Sequence, residues 1–536
     1  FGLTKSNEQM KKFRSPFNTE FNSQADIANK GSYEERNTQN LNYDGDFSLT
    51  YGKLFNEKHM VNVVGGMRLS QNGSNNSAYK VQGFIDDEFS NPAFALGYQK
   101  DGNATYQDSK KRAVSYYLNF GYAYDDRYLL DVNYRSDGSS VFGSDRQFTN
   151  TWSVGLGWNI HKEAFFSDIE GISLLKLRAS IGNPGNQNFD DYISTRIYTY
   201  NTDNMNIFGS SAIVSNLGNR NLEWQKTLDR NIGFDIIFLD NRLRVNFDYF
   251  NKRTDPLLVQ IGTASSTGVK TLPRNVGKQI TEGITLTMNY SIIRREDMFW
   301  SVNMNLRHQT SEYKEMSEVL TKYNLDNRNR NLTRYYDGGS PSDLWAVRSC
   351  GIDPATGREI FLDKNGEQTF VHNYDDEVVV GNSDPKVEGV IGTSFYYKGF
   401  SASINLRYRL GGQIFMQTLY DKVENLSSSK KWENLDKRAL YDRWKQPGDQ
   451  AKFKSIASSE VTPISSRFVE DNNVLSGESI SLGYESTAPW LKHIGASSMS
   501  VRAYMNDIFR ISTVKNERGL SYPFARSVSF SLGVTF

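Results

Sequence analysis

The chain has 536 residues, with 62 basic against 61 acidic and a single cysteine, Cys350. Its length exceeds one ordinary domain of roughly 150 residues, and its near-zero net charge excludes a general attraction to nucleic acid or anionic lipid. One thiol excludes an internal disulfide, a CxxC pair and a cysteine zinc site, and leaves Cys350 an inert small side chain. No run of about 18 apolar residues is present for a transmembrane helix, and the opening FGLTKSNEQMKKF has no apolar signal-peptide region. The mean hydropathy of −0.59 would suit a soluble protein, but membrane barrels defeat that index because lipid-facing and lumen-facing residues alternate and average out.

Taken in chain order, segments with period-two hydrophobicity recur from end to end. They lie at 41–51, 61–69, 114–124, 128–134, 152–160, 175–181, 228–238, 243–249, 284–292, 300–308, 387–397, 400–410, 475–484, 499–505 and 526–536. The first places Leu41, Tyr43, Phe47, Leu49 and Tyr51 on one side; the last does so with Val528, Phe530, Leu532, Val534 and Phe536. About 15–16 strands result. Short turns at Asp125-Asp126, Asp240-Asn241, 294–297 and Lys398-Gly399 alternate with long polar stretches at 70–112, 183–222, 250–279, 309–386 and 411–474. Short periplasmic turns and long extracellular loops are the layout of an all-β transmembrane antiparallel barrel.

The opposite faces are wet. Arg127, Asp131, Asn133 and Arg135 alternate with Tyr128, Leu130, Val132 and Tyr134, and Asn405, Arg407 and Arg409 with Ile404, Leu406 and Tyr408. An Arg or Lys at mid-depth on a lipid face costs roughly 2–4 kcal/mol, so these charges are expected to point into a lumen. Arg178, Asp235, Arg307 and Arg407 are lumen-facing candidates on this basis. A soluble sheet with one solvated face would look the same strand by strand. Trp152, Trp158, Tyr124 and Tyr128 at strand ends favour the membrane, because amphipathic rings settle at its interfaces.

If Phe536 ends on the periplasmic side, counting back through alternating strands makes 41–51 descend from outside to inside, so the chain before it is expected outside the cell. A complete bacterial barrel has an even strand number and no open edge in lipid. The expectation is that residues 1–536 are the C-terminal part of a longer barrel protein.

Several stretches resemble the SusC-like TonB-dependent transporters (SusC/RagA family): DDRYLLDVNYRSDGSSVFG at 125–143, WSVGLGW at 152–158, LKLRASIGNPGNQ at 175–187, NRNLEWQKT at 219–227, NVGK at 275–278, GIDPATGREIF at 351–361, DRWKQPGD at 442–449 and the terminal YPFARSVSFSLGVTF. They follow family order across nearly the whole chain. The resemblance implies a 22-strand barrel occluded by a plug, importing oligosaccharides or peptides with energy from TonB beneath a SusD-like surface lipoprotein. It also implies a dimer of transporter–lipoprotein pairs and no cofactor. No plug, TonB box or carboxypeptidase-regulatory-like domain is recognisable in these residues, so energy coupling is expected to lie in the missing N-terminal part. The lumen charges then read first as partners of plug or water.

Each motif also has a plainer reading. RSDGSS is expected to be a tight loop with Asp137-Gly138 as its turn, with Arg135 and Asp137 as substrate-contact candidates. GNPGNQ reads as a loop set by Gly182, Pro184 and Gly185, and Asn365-Gly366 in LDKNGE as a hairpin turn in preference to a calcium loop. Tyr335, Tyr336 and Trp345, in the 309–386 stretch, suit sugar or peptide stacking, lid contact, or simple packing of the loop. Trp432, Leu435, Leu440 and Trp444 have helix-like spacing. His59, His161, His308, His372 and His493 are scattered without metal-ligand spacing, and no catalytic motif stands in a suitable context, so neither a metal nor an enzyme is expected. A passive porin-like channel of about 16 strands is the alternative to active import, and a secreted carbohydrate-binding β-protein is a third reading.

Overall fold

Residues that alternate in hydropathy bury one face only by lying in an extended wall, and here each alternating segment pairs with its sequence neighbours. In a computed structural model, which describes all residues except 100–101, 141–146, 168, 187–194, 208, 220, 224, 427–434 and 516–524, sixteen strands form that wall. They are β1 Gly2–Arg14, β2 Ser32–Phe55, β3 His59–Gln82, β4 Thr105–Tyr124, β5 Tyr128–Ser139, β6 Phe148–Asn159, β7 Ile172–Asn183 and β8 Gln225–Phe238. The second half continues with β9 Leu243–Thr254, β10 Lys278–Arg295, β11 Met298–Lys314, β12 Val387–Tyr397, β13 Phe400–Phe415, β14 Val469–Ser486, β15 Ser498–Ser512 and β16 Val528–Thr535. Each is antiparallel to the next. Among the described residues no pairing joins β1 to β16, so the sheet is open there.

All fifteen expected segments fall on these strands to within two residues at their ends, Ile160 lying in a 3₁₀ turn and Arg526, Ser527 and Phe536 outside β16, and the expected short turns join them. Asp125, Asp126, Asp240 and Asn241 have positive φ, as do Asn56 and Glu57 in a turn the alternation had not marked; short Asn and Asp side chains tolerate that conformation best.

Three expectations need correction. The stretch 70–112 is not one long loop: β3 continues to Gln82 and β4 begins at Thr105, leaving 83–104 between them. Both faces of those extensions are polar because they stand above the membrane, and alternation reports lipid, not hydrogen bonding. For the same reason β1 went unseen; it pairs only with the outer half of β2, Gly2 opposite Asp44 and Arg14 opposite Ser32. Asp137-Gly138 is not a turn but the continuation of β5, with Gly138 beside the Phe148 ring, where a Cβ would sit 2.7 Å away. GNPGNQ is likewise extended through Asn183, with Gly185–Asn186 pairing to β8; Gln187 lies outside the described residues.

Large apolar side chains are exposed along one face of the strands: Leu49 is 73% and Leu156 58% accessible. Many such residues on one continuous surface are what lipid covers. An aromatic row bounds the band at its short-turn end, with Tyr124, Tyr128 and Trp158 stacked at 6.4 and 6.5 Å between ring centroids. The buried apolar cores lie in the extracellular loops. One gathers Leu257, Val259, Ile261, Tyr313 and Leu320, and another Val423, Phe453 and Phe468.

Candidate functional site

Two regions hold the candidate residues: the polar inner wall and the extracellular loops above it. On the inner wall Arg135 Nε donates to Asp137 Oδ1 at 2.7 Å, and its Nη2 to Ser115 Oγ at 2.9 Å. Ser115 Oγ donates to the same Asp137 oxygen at 2.5 Å, so this carboxylate is sequestered, 5% exposed. One level below, Tyr117 Oη reaches across β3 to donate to Asp46 at 3.0 Å. It can do so because Gly66 lies under the ring; a Cβ there would sit 2.5 Å from it.

Arg178 and Asp235, both expected in the lumen, form a pair through two bonds of 2.8 Å. Asp248 adds a contact at 3.0 Å, and Asn246 Nδ2 donates to Asp235 at 2.6 Å. Planar guanidinium donors match carboxylates at this spacing, and Arg178 is shared between two of them, Asp235 and Asp248. Arg407 meets Glu478 at 3.1 Å, and Arg307 donates to Gln309 two positions along its own strand. Arg135 and Arg178 share one hollow of about 830 Å³ with Asp46, Arg68, Tyr117 and Asp229. Sequence reading did not select Arg68, Tyr117 or Asp229, although their lumen-face parity was there to be read.

In the loops the three aromatic candidates part company. Tyr335 packs against Tyr313 and Tyr323, with centroids 5.3 and 5.2 Å away, inside the first apolar core. Burial pushes the Tyr313 and Tyr335 hydroxyls above their ordinary range. Tyr336 turns outward, exposed, with its ring 5.0 Å from that of Trp345. Asn365-Gly366 lies in a hairpin between Glu359–Leu362 and Gln368–Thr369, with Gly366 at φ +87°. Trp432 lies outside the described residues; within the remainder of that spacing only a single 3₁₀ turn, Lys437–Leu440, forms, and Trp444 Nε1 donates to the Pro354 carbonyl.

Sequence reading missed a buried ionic knot that joins the loops between β11 and β12 and between β13 and β14. Arg467 Nη2 contacts Glu359 at 2.9 Å and Glu424 at 2.7 Å. Ser465 donates to Glu359 and Thr462 to Glu424. Burial works against the Arg467 charge, but the two carboxylates outweigh it and raise its pKa. Nearby, Arg443 donates to the carbonyls of Ala439, Lys454 and Val423. These partners lie up to 108 positions apart, and no local spacing announces them.

A hollow wall of satisfied charges, an apolar belt and a folded outer cap are the parts of an outer-membrane β-barrel receptor. The family model "TonB dependent receptor-like, beta-barrel" matches residues 4–445. The chain belongs to the TonB-dependent receptors. These are non-enzymatic proteins of the outer membrane, and the SusC/RagA character read from the motifs holds. Among relatives, TonB-dependent receptor P39 of Formosa agariphila is 26% identical over 540 residues, covering 91% of this chain and 51% of that protein. SusC of Bacteroides thetaiotaomicron is 25% identical over 458 residues, covering 80% and 44%. The fold matches the RagAB peptide transporter with a TM-score of 0.82 at 19% identity, over 96% of this chain and 56% of that one. The chain thus spans about half the length of the curated relatives it matches.

Proposed function

We propose that this TonB-dependent receptor chain is the wall and outer cap of an active importer of oligosaccharides or peptides. In this reading it works beneath a SusD-like lipoprotein, is energised through TonB by a plug-bearing part outside these residues, and pairs into a dimer of such complexes. The observation that carries the reading is the inner wall, where Arg178 pairs with Asp235 and Asp248, and Arg135 with Asp137. Such a wall is wet and its named charges have protein partners, so a polar occupant can be held and released without a large desolvation cost. The cap supports it too, since loops knit by Arg467 give a lid a fixed surface to meet. RagAB is a peptide transporter, but that likeness is one of fold, so both substrate classes stand.

The test uses the full-length protein in its native membrane. Uptake of labelled oligosaccharides and peptides is measured with and without functional TonB, and the complex is purified to identify bound lipoprotein and its stoichiometry. TonB-dependent uptake with a co-purifying lipoprotein is the expected result. Uptake indifferent to TonB, with no lipoprotein, would make the chain part of a passive channel and overturn the reading.

A further inference from the structure

On the lipid side of β10 to β14 the register sets side chains in level rows. At the periplasmic end Arg295, Met298, Tyr397, Phe400 and Tyr484 oppose one another across successive strands. One row toward mid-membrane stand Ile293, Trp300, Phe395, Ala402 and Leu482. A register shift between Ser291 and Ile293 is what brings Ile293 and Arg295 to this face. Ala402 is the smallest member of its row, and Trp300 is held by a 2.9 Å hydrogen bond from Nε1 to Thr393 Oγ1. Between them lies an outward-facing apolar groove of about 480 Å³.

Hydrophobicity does not fill such a groove in a membrane, because lipid tails are as apolar as the wall. Packing does, since a gap too narrow for loose chains forfeits dispersion contacts that a well-seated chain regains. Charge then selects the lipid. Arg295 ends the outer row of aromatic residues, and Lys398, exposed in the turn between β12 and β13, lies over the Tyr397 ring at 5.5 Å. Arg294 flanks them. Glu296 and Asp297 occupy the turn beyond the row, and Glu485 is on the lumen-face register opposite Ser500. The groove therefore ends at two cations, Arg295 and Lys398, on the lipid-side rim of the periplasmic turns, with Glu296 and Asp297 farther out in the turn.

We propose that this groove seats one acyl chain of an anionic phospholipid of the periplasmic leaflet, its phosphate held by Arg295 and Lys398. The test is native mass spectrometry of the full-length protein equilibrated with equal amounts of phosphatidylglycerol and phosphatidylcholine. The wild type is expected to retain one phosphatidylglycerol after the loosely bound lipid is stripped. Ala402→Phe, which fills the groove, should lose it, while Ala402→Ser should keep it. The double variant Arg295→Gln, Lys398→Gln should lose preference for the anionic lipid by about fivefold per cation removed. Heat-modifiable gel mobility verifies that each variant is inserted. Equal lipid retention by wild type and Ala402→Phe would overturn the proposal. So would loss from Ala402→Ser, equal retention of both lipids by the wild type, or cross-linking that places a second copy of the chain in the groove.

Discussion

Arg467 shows how much a single side chain can hold. It is the shared cation of two buried carboxylates, and removing it strands Glu359 and Glu424 together in the loop interior. Arg467→Ala should destabilise the cap by about 3–5 kcal/mol, the usual cost of breaking a buried pair. The expected readout is rapid proteolysis within 315–386 and 416–468 with unchanged heat-modifiable mobility of the wall; proteolysis at the wild-type rate would refute it. Gly66 is the corresponding point in the barrel. Gly66→Val puts a branched side chain where the Tyr117 ring lies, costing about 1–3 kcal/mol as overpacking does. Urea unfolding in lipid vesicles measures it, and Tyr117→Ala should relieve only part of the added strain, because the Phe47 carbonyl would still lie 2.6 Å from the new Cβ. The sequence showed neither residue, because Arg467 and Gly66 act only through partners brought by distant strands.

For whole strands the sequence was far more legible. Within the membrane the alternation of Tyr128, Leu130, Val132 and Tyr134 with Asp131, Asn133 and Arg135 dictates which way each side chain points, and a one-residue slip would put all three polar groups into lipid. Val132→Arg should therefore cost about 2–4 kcal/mol of folding in bilayers, and Asn133→Arg much less; equal effects would refute the assignment of faces. Above the membrane the same signal vanishes, which is why β1 goes unseen and the outer parts of β3 and β4 read as loop. There polar bonding replaces patterning. Tyr79, Gln9 and Tyr33 donate to Glu35 and hold its pKa down to about 2 from an ordinary 4.5. A carboxylate depressed in the fold stabilises it above the unfolded pKa and loses that contribution as pH falls from about 4.5 toward 2. Amide exchange in the outer halves of β1, β2 and β3 should accelerate across that window, and Glu35→Gln should flatten the response.

Across the whole molecule, stability is divided. The wall draws on lipid, register and paired lumen charges, whereas the cap has its own apolar cores around Tyr313 and Phe468. Segments with separate cores open separately, so denaturant should melt the cap first. Fluorescence of Trp345 is expected to change at lower urea than the gel-mobility shift that reports the barrel, and a single coincident transition would contradict this. Family motifs spread along the chain made the architecture readable early, while loop topology, assembled from pairings dozens of residues apart, was not.

β2 and β3 have 24 residues each, while β5, β6 and β7 have 12. About 9–11 residues suffice to cross the bilayer, so β2 and β3, flanked by β1 and by the 20-residue β4, climb far above the span that β5, β6 and β7 need. The outer rim consequently carries a parapet of paired strands on one flank. A rim of hydrogen-bonded strands keeps its shape where a free loop of equal length would not, so this flank meets whatever lies above it as a fixed edge.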